Sequence, residues 1–163
     1  MENRREFVKK AASITAFGLI ANWASALPTF DKLGEVLPKR QLIRNGEKVT
    51  SFCLGGYHLG FNPDPKNAEQ MIEHCMELGV RFFDNARGYH SGRSEEFMGR
   101  FLTPKYRDEI FLMSKAPART AAGVKEQLAA SLKALKTDYL DLWQIHALNT
   151  PEDVENRIKE GVL

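Results

Sequence analysis

From Pro38 onward, short continuously apolar runs alternate with amphipathic stretches, and this alternation restricts the fold more than any other feature of the chain. Lys39–Ile43, Asn45-Gly46 and Lys48–Ser51 read as a hairpin, because Asn-Gly supplies the positive φ angles of a tight turn. Phe52–Gly56 reads as an apolar strand running into a glycine turn. Asp64-Pro65 then predicts a helix N-cap with proline in the first turn. The helix that follows puts Ala68, Met71, Ile72, Cys75 and Met76 on one face and stops at Gly79. Val80–Phe83 is a second strand and Ser94–Leu102 a second helix, with Glu95 and Glu96 compensating its positive end. Glu109–Met113 is a third strand. Thr120 caps a third helix whose Val124, Leu128, Ser131, Leu132 and Leu135 share a face. Tyr139–Ile145 is a fourth strand, and Thr150-Pro151 opens a fourth helix. Apolar strands separated by helices make a parallel sheet covered by helices. The class is α/β, and two architectures satisfy it: an open doubly wound sheet or a (β/α) barrel.

Charge narrows the function. The chain has 163 residues and a formal charge of +2. That excess lies in residues 1–26, where Arg4, Arg5, Lys9 and Lys10 outnumber Glu2 and Glu6; the remainder is neutral. Nucleic-acid binding needs a basic footprint, so that class is excluded. The same segment joins a cationic start to the mildly apolar run Ala11–Leu27 and the small-x-small sequence Ala24-Ser25-Ala26. Those are the parts of a secretory signal, and Arg4-Arg5 before Phe7 and Lys9 resembles a twin-arginine leader. The expectations are cleavage after Ala26, export to a bacterial periplasm, and only transient membrane contact. Residues 27–37 then read as a linker and 38–163 as the folded unit. Cys53 and Cys75 are too few for a disulfide scaffold and fit no zinc spacing. Their strand and helix-face positions suggest packed thiols, and no metal site is expected.

In parallel α/β proteins the chemistry sits at the carboxyl ends of the strands. Here those ends carry Gly55-Gly56-Tyr57-His58, then Asp84 through Tyr89, then Ser114-Lys115, then His146. The combination has a chemical logic. A phenol is a poor proton donor at neutral pH until something stabilises its phenolate. A nearby ammonium does so, and a carboxylate holds that ammonium in place. An imidazole beside them can orient a carbonyl. Arg87 and Arg93 read as solvated rim charges, His58 and His90 as loop or substrate-wall residues, and Met71 with Met76 as core.

The runs Phe82–Tyr89, Gly92–Glu96, Leu112–Lys115 and Asp138–His146 resemble the aldo-keto reductases. That resemblance extends from about Pro38 to the last residue. It implies a (β/α)8 barrel of the TIM type, closed at its base by the hairpin and using NADPH or NADH. By position it makes Tyr89 the general acid, Lys115 the cation that stabilises its phenolate, Asp84 the partner of Lys115, and His146 the group orienting a small carbonyl substrate. Gly55, Gly56 and Tyr57 would lie beside the nicotinamide. A complete barrel takes about 250 residues, and only about four of its βα units are expected here, as in a truncated or fragmentary reductase. Weak NADPH binding by this chain alone follows, because the later strands grip the cofactor in the family. A rival expectation is a non-catalytic half-barrel serving binding or assembly, self-associating through its exposed sheet edges.

Overall fold

The computed structural model describes residues 28–163 apart from positions 43 and 45. The expectations for the leader, residues 1–26, and for the tip of the Asn45-Gly46 turn lie outside the described residues.

Two antiparallel hairpins open the described chain. Strands β1 (Thr29–Asp31) and β2 (Gly34–Val36) form the first, and β3 (Lys39–Gln41) and β4 (Lys48–Thr50) the second. The first corrects an expectation: most of the segment read as a linker is a hairpin. Its anchor is Arg81, only 3% exposed, which donates to Asp31 at 2.7 Å and to the carbonyls of Met76 and Val80 at 2.8 and 3.0 Å. Bonding to that guanidinium holds the Asp31 carboxyl below its ordinary pKa, against the opposing effect of burial. Glycine is required at the contact with the next element. Gly79 has φ +81, and a Cβ there would lie 2.6 Å from the Glu35 carbonyl.

Four parallel strands follow in the order β5 (Leu54–Gly55), β6 (Phe82–Asp84), β7 (Phe111–Ala116) and β8 (Leu142–Ile145). Between them lie α1 (Gly56–Phe61), α2 (Pro65–Glu77), α3 (Arg93–Phe101), the short α4 (Thr103–Tyr106) and α5 (Ala121–Leu135), and α6 (Pro151–Lys159) comes last. The caps are the ones the sequence announces. Asp64 accepts from the Lys66 amide, Thr120 from Gly123, and Thr150 with Asp153 closes a reciprocal capping box. The helix α1 is new: the glycine turn winds directly into a short helix after β5.

Strand alternation divides the sheet into two faces. Phe83 and Leu112 point toward the helices and are fully buried with Ile72 and Met98. Each such side chain stabilises the fold by about 1.5–3 kcal/mol through burial alone. Phe82, Asp84, Phe111 and Lys115 take the other face and are half-buried; the Phe82 and Phe111 rings meet edge to face at 5.4 Å. Two details depart from expectation. Met71 is 37% exposed because the buried stripe of α2 is the narrower Ala68, Ile72, Met76 row. Cys53, read as packed, is exposed, and Cys75 is half-buried; both thiols are free.

Candidate active site

Asp84 ends β6, and Lys115 stands near the end of β7, the neighbouring strand. The register pairs Asp84 with Met113, so Lys115 sits two residues beyond on the same face. Its ammonium forms an ion pair with the Asp84 carboxylate and donates to the Asn85 carbonyl at 2.8 Å. Both partners thus fix a single nitrogen over the strand ends.

The chain leaving β6 then follows β7 upward. The Asn85 amide donates to Met113 at 2.9 Å and the Arg87 amide to Lys115 at 3.0 Å. A tight turn, Tyr89–Gly92, closes this path with His90, Ser91 and Gly92 at φ 49, 58 and 93. Such a run of left-handed residues persists only where surrounding contacts impose it. It brings the Tyr89 ring 5.3 Å from the Lys115 nitrogen. His146, just past β8, meets the same ring edge-on with centroids 5.6 Å apart. Burial pushes the His146 imidazole below its ordinary pKa; the Lys115 and Arg119 charges add to this, and Asp84 opposes it. The ring is therefore neutral at neutral pH, able to accept or donate one hydrogen bond at each nitrogen as tautomer dictates.

Gly55, Gly56 and Tyr57 border the same rim. A Cβ on Gly56 would lie 2.6 Å from Ser94 Oγ and 2.7 Å from Asn85 Oδ1, so the backbone approaches α3 as only glycine permits. Gly55 faces open space. The Tyr57 ring stands edge-on to Tyr89 at 5.4 Å, and His90 lies against both Tyr57 and Phe61 at 4.6 and 5.7 Å. His58 also meets Tyr57 edge-on, at 5.5 Å. The structure thus brings Asp84, Tyr89, Lys115 and His146 together, with Tyr57 as an aromatic flank.

Sequence reasoning missed what lies behind the rim. Arg87 is not a solvated charge. It donates to Glu95 at 2.8 Å, and the Glu95 carboxylate is completely buried and also accepts from Ser114 at 2.7 Å. Arg93 is exposed, as a rim charge is expected to be, while also donating to the Gly60 carbonyl at 2.6 Å. A readable signal existed for Glu95: it precedes Met98 and Leu102 at helical spacing, and both are fully buried.

The chain is similar to several known proteins over most of its length. The profile of the Aldo/keto reductase family matches residues 51–160. An uncharacterized oxidoreductase of Bacillus subtilis is 30% identical over 133 residues, covering 74% of this chain and 42% of that protein. A methylglyoxal reductase of Escherichia coli is 36% identical over 95 residues, covering 56% and 33%. Among solved structures, an aldo-keto reductase from Bacillus halodurans in its holo form superposes with a TM-score of 0.61 at 29% identity, covering 76% of this chain and 47% of that one. An aldo-keto reductase from Klebsiella pneumoniae in complex with NADPH gives 0.56 at 28% identity, covering 69% and 41%. The chain spans about half the length of these proteins, or less.

Proposed function

The chain belongs to the aldo/keto reductase family, and from that membership we propose that its rim reduces an aldehyde or ketone to an alcohol with NADPH or NADH. The family's oxidoreductase character supports the class. The observation that carries the residue roles is the Lys115 ammonium, clamped between Asp84 and the Asn85 carbonyl and 5.3 Å from the Tyr89 ring.

In this reading Tyr89 donates its phenolic proton to the carbonyl oxygen, which becomes the alcohol oxygen. Lys115 stabilises the phenolate left behind, Asp84 keeps Lys115 in position, and Tyr89 regains a proton from solvent. His146, being neutral, hydrogen-bonds the carbonyl oxygen and aims it at Tyr89 without a competing charge. General acid catalysis of this kind contributes about 10²–10⁴-fold. When bound, a reduced nicotinamide would supply the hydride, a hydrogen with its bonding electron pair, to the carbonyl carbon. The residues present fit the cofactor's reactive end, since Gly55, paired with Asp84 at the strand ends, faces open space. Among the described residues near the rim, Arg87, Arg93 and Arg119 each direct part of their guanidinium to groups of the chain itself: Glu95, the Gly60 carbonyl, and the His146 and Ala147 carbonyls.

The test is loss of NADPH absorbance by the purified chain with a panel of small aldehydes and ketones, at millimolar cofactor because weak affinity is expected. Carbonyl-dependent oxidation that falls about 10²–10⁴-fold in Tyr89→Phe supports the reading. Equal rates in Tyr89→Phe, or none in either protein, oppose it. An assembly role is the second reading, supported by β5 and β8 as edges of the four-stranded sheet. Concentration-dependent sedimentation without turnover would favour it.

A further inference from the structure

We propose that Glu95 is a positioning residue that sets the separation of Tyr89 and Lys115; the proposal rests on the reductase reading above. Its carboxylate is wholly buried, yet it lies on α3, outside the rim. One oxygen accepts from the Arg87 guanidinium at 2.8 Å, and the other accepts from Ser114 Oγ at 2.7 Å. Arg87 stands two residues before Tyr89, and Ser114 stands immediately before Lys115. A single carboxylate therefore ties the strand that carries the ammonium to the turn that carries the phenol. The backbone repeats the link, since the Arg87 amide donates to the Lys115 carbonyl at 3.0 Å.

The turn itself needs such a tie. His90 and Ser91 are non-glycine residues in the left-handed region, a conformation that relaxes unless something outside the turn opposes it. Gly92 leaves the space through which the tie passes: a Cβ there would lie 2.7 Å from the Arg87 guanidinium. Without Glu95, Arg87 would have no reason to enter the interior, and the turn would be free to carry Tyr89 away from Lys115. Misplacement of a reacting group by about 1 Å is enough to slow an enzyme severely.

The decisive variant is Arg87→Met/Glu95→Leu/Ser114→Ala, because exchanging a whole buried ionic cluster for apolar groups often leaves stability unchanged. The expected result is cooperative unfolding as in the parent, a nuclear Overhauser contact between the Tyr89 and His146 rings that is lost, and kcat lower by about tenfold or more with KM nearly constant. A folded variant that keeps both the ring contact and kcat overturns the proposal. If the triple variant does not fold, Ser114→Ala removes one hydrogen bond to the Glu95 carboxylate, adds no charge, and gives the same ring-contact readout; an unchanged contact there overturns it equally. Absence of turnover in the parent protein would defeat the reductase reading alone, while the ring contact would still decide the role of Glu95.

Discussion

The chain has a closed side and an open side. Between β5 and β7, under α2 and α3, Phe83, Leu112, Ile72 and Met98 are fully buried. Beyond β7 the packing thins. Leu142, Trp143 and Ile145 of β8 are half-buried, Val154 and Ile158 of α6 are 38% and 58% exposed, and the buried Trp143 indole nitrogen has no hydrogen-bond partner among the described residues. Yet one chemical rim runs across both sides. Asp84, Tyr89 and Lys115 rise from the closed side, and only His146 stands on the open one. The proton-donating pair is thus built on the best-packed strands, whereas the group proposed to aim the substrate is held by an edge.

That contrast is open to attack in order of expected effect. Leu112→Ala should cost about 3–5 kcal/mol in urea unfolding, since it empties a fully buried site. Ile158→Ala on the open side should stay within about 0.5 kcal/mol. Equal losses would erase the distinction. The seam between the sides is next. A Cβ on Gly99 of α3 would lie 1.9 Å from the Ala134 carbonyl of α5, so Gly99→Ala should destabilise by about 1–3 kcal/mol through overpacking. Thr150→Ala removes the capping box of α6 and should cost about 1 kcal/mol, measured by the same unfolding curves.

The smallest effect is pH-dependent and belongs to His146. Its folded pKa is depressed below the ordinary value near 6.5, so the unfolded chain takes up that proton more readily. Its neutral form therefore favours the fold fully above that pH, and the contribution is lost as pH falls through about 6.5 toward the folded value. Stability curves of His146→Gln should lack this component; an identical pH slope in both proteins would remove His146 as its source.

What the sequence disclosed follows from how locally each feature is determined. The parallel order, the caps at Asp64, Thr120 and Thr150, and the strand-end positions of Asp84 and Lys115 depend on spacing within a few residues, and all are present in the structure. The expected α5 stripe was only partly right. Ser131 and Leu135 are buried, but Val124, Leu128 and Leu132 are half-exposed because periodicity shows which face is apolar, not whether anything covers it. The β1–β2 hairpin escaped notice because Arg81 anchors it from fifty residues away in sequence. The interior destination of Arg87 was hidden for the same reason: it requires Glu95, Ser114 and the glycine at position 92 to meet in space.

The most direct test of the account is a double-substitution cycle on carbonyl reduction with Tyr89→Phe, Lys115→Met and both together. If phenol and ammonium form one proton-donating unit, the double variant will be about as slow as Tyr89→Phe alone. Rate losses that simply multiply would mean that the two side chains act independently, and the shared site would be contradicted.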